Sequence, residues 1–202
     1  MIHGLADWIA SIFISYGESD EEDKDIYVYA CEMVISTIVN VMLGLLVAAL
    51  LGRLLDGIIF ITGFALLRRY TGGYHAKTHF RCILAFALIL TCGMITLDYI
   101  SGLQIESMVL AIAGIVSVGI CLLAPVEHKN KPLDIGLRKS IKKKSCWAVS
   151  ALWVFSAVDL YIVGTGIALS LLLSMFFVFG SMAYAVVISR SNFLKGCSTY
   201  EK

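Results

Sequence analysis

The sequence predicts an all-α integral membrane protein, a single membrane domain over residues 1–202. It has about six transmembrane helices and a short cytoplasmic or interfacial loop between helices 2 and 3 that carries its chemistry. Three observations lead there. The chain is 59% hydrophobic and only 15% charged, and its mean hydropathy of +0.86 far exceeds that of soluble domains, which are roughly 45–50% apolar. Its apolar residues fall into runs near the ~20 residues a helix needs to cross a bilayer. Its charges cluster between those runs, where a chain leaves the lipid.

The first segment, 1–16, sets Leu5, Trp8, Ile9, Ile12 and Phe13 at helical spacing. It lacks the basic flank and the small-residue cleavage site of a signal peptide, and it suits a short helix lying in the interface or packed on the domain. The acidic cluster Asp20, Glu21, Glu22, Asp23 and Asp25 follows and reads as a solvated helix start, since acids favour helix N-termini. Spans are then expected near 26–51, 54–67, 83–100, 107–126, 147–163 and 167–188. The second stands out, because Arg53 and Arg68 bracket 14 residues, about 21 Å of helix against a core of about 30 Å. It must extend through its arginines, thin the bilayer or cross incompletely.

Basic residues orient the chain. With the N-terminus inside, Lys24, Arg68, Arg69, Lys77, Arg81, the run from Lys129 to Lys144, Arg190, Lys195 and Lys202 all face the cytoplasm, and only Arg53 lies outside, as the positive-inside rule requires. A five-span alternative keeps the later loops, including Arg68 to Arg81, on the same side. Composition gives no sign of nucleic-acid binding. The six cysteines, Cys31, Cys82, Cys92, Cys121, Cys146 and Cys197, contain no CxxC pair and mostly read as small buried hydrophobes.

One of them stands apart. The stretch from Arg68 to Cys82 holds Gly72, Gly73, His75, His79 and Cys82. An imidazole that takes the proton of a thiol makes it a nucleophile, so His75 and Cys82 are candidate catalytic residues of a cysteine peptidase. On one continuous helix residues seven apart are displaced by about 10.5 Å, so contact requires a break, which Gly72 and Gly73 supply. Cys82 is then expected on the first turns of the third span, with Thr78 as N-cap. A metal reading stays open: His75, His79, Cys82 and His128 include a His-x3-His spacing found in zinc sites. The glutamate of H-E-x-x-H is replaced by Ala76, however. So does the reading in which these are ordinary loop and helix-end residues.

Arg68, Gly73, His75 and Cys82, with Ala124-Pro125 and Lys131-Pro132 further on, resemble the pattern of the accessory gene regulator B (AgrB) family of membrane endopeptidases, over most of the chain. The resemblance implies that His75 and Cys82 are catalytic, with Arg68 and Gly73 in support and no cofactor. The implied partners are the lipid bilayer and a small quorum-sensing pro-peptide with an amphipathic leader and an acidic C-terminal tail. Cys82 would remove the tail through a thioester, and a thiol or hydroxyl of the peptide would then close a thiolactone or lactone. A homodimer in a bacterial cell membrane is a further expectation from the family, and Gly114 and Gly119 in the fourth span permit close helix packing. Seven basic residues lie between Glu127 and Lys144. They serve topology and anionic-lipid contact, and Lys142, Lys143 and Lys144 are candidates for steering the acidic tail. Glu127 is the nearest loop acid able to orient His75. The competing functions are a zinc-binding membrane protein and a non-enzymatic peptide exporter.

Overall fold

The computed structural model describes residues 2–15, 24–72, 79–103, 105–126, 134–163 and 166–199. It is helical throughout these residues: α1 (Ile2–Ser15), α2 (Lys24–Leu50), α3 (Leu54–Thr71), α4 (His79–Ser101), α5 (Glu106–Leu123), α6 (Ile135–Val158) and α7 (Ile167–Thr199). A π-helical segment, Asp159–Val163, continues α6. Among the described residues, five helices are long and apolar enough to cross a membrane: α2, α4, α5, α6 with its π segment, and α7. The protein is thus an all-α, multi-pass membrane protein.

The second expected span, 54–67, is not among those five; as α3 it packs one face into the bundle. Phe60, Ile61, Phe64 and Leu67 are buried, and the helix packs most extensively on α7 and also on α2 and α6. One face of α3 is buried in the bundle while Leu54, Leu55, Ile58 and Leu66 stay exposed, and its charges, Asp56, Arg68 and Arg69, sit in its first and last turns, where they reach the polar poles. Its 18 residues reach about 27 Å, against 21 Å for the predicted stretch. Phe60 stacks on Phe64 at 6.2 Å and meets Phe177 of α7 edge-on at 5.7 Å, geometries that aromatic rings favour.

Two polar poles cap this bundle. At one, Arg53 pairs with Asp98 at the end of α4 and with Asp56 at 3.3 Å, and the Ser170 hydroxyl donates to Asp56 at 2.9 Å. Asp159, 3% exposed, accepts from the Ala168 backbone N–H at 2.9 Å and so satisfies one of the free donors at the start of α7. At the other pole, the end of α3 meets α5 and α6, with the start of α4 beside it. Successive helices therefore alternate in direction between the poles.

The α2–α3 turn is tight. Arg53 N–H donates to Ala48 C=O at 2.9 Å and Gly52 N–H to Ala49 C=O at 3.0 Å, the paired bonds that end a helix in a Schellman motif. Four residues on, a Cβ added at Gly57 would stand 2.3 Å from Ala48 Cβ. Neither atom can rotate away. Gly57→Ala is expected to lower the thermal stability of the detergent-solubilised protein by about 1–3 kcal/mol, and Ala48→Gly in the same chain should restore much of it.

The structure moves several boundaries. The helix expected from residue 147 begins at Ile135, where the Asp134 carboxylate accepts from Gly136 N–H at 3.2 Å as an N-cap. Arg138 to Lys144 therefore form the first turns of α6 rather than a loop, because lysines and arginines are good helix formers whatever their hydropathy. The helices expected at 83–100 and 167–188 are likewise longer, as α4 and α7. Gly114 and Gly119 face this chain's own Trp153 and Phe179, and Trp153 Nε1–H donates to Leu110 C=O at 2.9 Å. Helix α1 packs Ala6 and Ala10 on Val28 of α2 as a separate small cluster. It is tied by Asp7 to Lys24 at 3.2 Å and by His3 to Glu32 at 2.7 Å, while Leu5, Trp8 and Phe13 stay exposed.

Candidate active site

Helix α3 ends in a sequence built to stop. Gly72 adopts φ +72° and ψ −152°, a conformation reserved for glycine. Its N–H donates to Arg68 C=O at 3.1 Å. Val126, just past the cis Ala124-Pro125 bond at the end of α5, donates its N–H to Thr71 C=O at 2.9 Å. A Cβ on Gly72 would lie 2.7 Å from Val126 O, so glycine is required here by space as well as by dihedral angle.

A second anchor comes from α6. The Ser145 hydroxyl, with its side chain fully buried, donates to Tyr70 C=O at 2.7 Å, satisfying one of the last carbonyls of α3 that have no partner within the helix. Sequence reading missed Ser145, because a single serine after a lysine run carries no signal until the helices are placed. Ser145→Ala is expected to cost about 1 kcal/mol of stability, measured by thermal melting in detergent.

Cys82 lies on the first turn of α4, partly buried. The Arg68 guanidinium is close enough for its charge to act on the Cys82 sulfur. Arg68 is held over the Phe64 ring, 5.6 Å from its centroid, and Phe64 in turn meets Phe86, one turn beyond Cys82, at 5.8 Å. An aromatic pair thus braces the cation beside the thiol.

The remaining residues singled out in the sequence divide into two groups. Gly73, His75 and Thr78, together with Glu127, His128, Lys129 and Lys131, lie outside the described residues, as does the side chain of His79. Lys142 lies near Cys121 of α5 and Cys146 of α6. Lys143 and Lys144 line a cleft with Tyr70, Ser140, Trp147, Ala148 and Ala151. The five described cysteines are free thiols.

A profile of the family described as Accessory gene regulator B matches residues 5–179. The chain is 26% identical over 186 residues to AgrB-like protein 2 of Clostridium perfringens (strain 13 / Type A), covering 88% of this chain and 87% of that protein. It is also 26% identical over 183 residues to an AgrB-like protein of Clostridium perfringens (strain SM101 / Type A), covering 86% of each. No solved structure gives a significant match.

Proposed function

The chain belongs to the accessory gene regulator B family, which gives it a role in accessory gene regulator peptide processing; from that premise we propose that it is a cysteine endopeptidase working through Cys82 and His75. The observation that carries this reading is Cys82 on the first turn of α4 within electrostatic range of the Arg68 cation, at the pole where Gly72 turns the chain out of α3. His75 is three residues from Gly72 and four from His79. At ~3.3–3.6 Å of reach per residue, the chain permits its ring to approach the thiol.

In this mechanism the Cys82 thiol yields its proton to the His75 imidazole, and the sulfur attacks the carbonyl carbon preceding the acidic tail of a small pro-peptide. Arg68 stabilises the negative charge that develops there. The C–N bond breaks, the tail leaves with the proton returned by His75, and an acyl thioester remains on Cys82. A thiol or hydroxyl of the peptide then gives its proton to His75 and attacks the thioester carbonyl; the bond from that carbon to the Cys82 sulfur breaks, the thiolactone or lactone forms, and the proton returns to Cys82. The exchange conserves the activated acyl group only if water is kept away, which favours a site at the membrane boundary.

We place this pole in the cytoplasm. Arg68, Arg69, Arg81 and the α6 cations from Arg138 to Lys144 gather there, and Arg53 stands at the opposite pole, the asymmetry that sets orientation. The deciding experiment incubates the purified full chain in lipid with a candidate pro-peptide and follows masses. Tail loss together with an acyl adduct on Cys82 is the expected result. Tail loss with no adduct and undiminished activity in Cys82→Ala would overturn the reading. A chelator should leave the rate unchanged, and His79→Ala should process within about twofold of the parent; strong inhibition of either kind would favour a zinc site.

A further inference from the structure

A cleft of about 620 Å³ lies between the end of α3 and the first half of α6, lined by Tyr70, Ser140, Lys143, Lys144, Trp147, Ala148 and Ala151. Its two ends differ in chemistry. Lys143 and Lys144 are exposed at one end; no acidic residue is among the lining, and neither lysine forms an ion pair with any described residue. Arg69 adds a third cation, 5.9 Å from the centroid of the Tyr70 ring. The other end is apolar, and Trp147 is 70% exposed there.

From that end the surface stays apolar along α6. Val154, Phe155 and Val158 are exposed in turn, continuing Trp147 and Ala151 at helical spacing. The lining alone, from Ser140 to Ala151, covers about 16 Å of helix. A ligand that fits must therefore carry an anionic head and a long apolar body, and must lie along the helix with its body toward the bilayer centre.

We infer that the cleft formed by Tyr70, Lys143, Lys144 and Trp147 is a binding site for one anionic phospholipid, with its phosphate between the two lysines and an acyl chain along Trp147, Ala151 and Val154. An acidic peptide segment matches the lysines equally well but gives no use to the exposed apolar stripe that continues the cleft. The inference is independent of the peptidase reading. It gives the bundle a lipid contact directly behind the end of α3, where Ser145 holds the Tyr70 carbonyl.

The test uses the full chain in phosphatidylcholine vesicles carrying increasing fractions of dibrominated phosphatidylglycerol or, separately, dibrominated phosphatidylcholine. Quenching of Trp147 is read as the difference between the parent and Trp147→Phe. Half-quenching by brominated phosphatidylglycerol is expected at a mole fraction about 30-fold lower than for brominated phosphatidylcholine, the scale set by two lysines at a lipid headgroup. The Lys143→Gln/Lys144→Gln double variant should bring the two curves together. Equal quenching by both lipids in the parent would overturn the site. A preference that survives the lysine substitutions would do the same. Release of brominated phosphatidylglycerol by free hexaglutamate would assign the cleft to an acidic peptide instead.

Discussion

Cys82→Ala is expected to abolish release of the pro-peptide tail, with a loss of at least ~10³-fold, since no other group takes over when a covalent nucleophile is removed. Cys82→Ser should be nearly as inactive, because a hydroxyl at this position is far less acidic than a thiol. The control lies on the same helix. Cys92 is ten residues further along α4 and is exposed on its apolar face, so Cys92→Ala should process at the parental rate. Iodoacetamide should inactivate the parent in step with alkylation of Cys82 and leave Cys92 labelling without effect. Arg68→Gln separates charge from nucleophile: the thiol remains available for alkylation while turnover falls. Arg68→Lys should recover only part of that loss, since a lysine keeps the charge but not the planar group that lies over Phe64. If Cys82→Ala still releases tail at an appreciable fraction of the parental rate, the covalent route is wrong, whatever the family.

The helices and the chemistry were unequally legible in the sequence. Long apolar runs over 26–51, 83–100, 107–126 and 167–188 became α2, α4, α5 and α7, because a helix facing lipid must advertise itself in composition. Helix α3 did not advertise itself in this way. Only one of its faces is buried, and its charges, Asp56, Arg68 and Arg69, sit in its end turns, so its apolar run understates its length. The basic start of α6 was hidden for the opposite reason: Arg138 to Lys144 are helical but lie outside the apolar run, and hydropathy alone reads them as loop. Gly72 was legible as a break, since a glycine pair between two helical runs has few other uses. Its neighbour Val126 was not, because the backbone bond from Val126 to Thr71, 55 positions apart, leaves no trace in side-chain pattern. Ser145 was missed for the same reason.

That clamp supplies the second large effect. Gly72→Ala is expected to lower processing about 100-fold, the scale of a displacement near 1 Å in a positioned group, while the bundle itself remains folded. Two faults combine in the variant. An alanine at φ +72° and ψ −152° is strained by roughly 1–3 kcal/mol, and its Cβ would press on Val126 O at 2.7 Å, a backbone atom with no rotamer to escape into. The strain is relieved only if Gly72 or the Val126 segment moves, and either movement breaks the Thr71–Val126 bond from which the chain sets out toward Cys82. Gly52 provides the matched comparison. It has φ +69° but nothing within 4 Å of an added Cβ, and it sits at the opposite pole. Gly52→Ala therefore also puts a side chain on a positive-φ backbone, but without the collision and away from the thiol. Both variants should lose thermal stability, yet only Gly72→Ala should lose turnover. Equal loss of turnover in both would mean that processing follows overall stability and that the Gly72–Val126 contact has no positioning role.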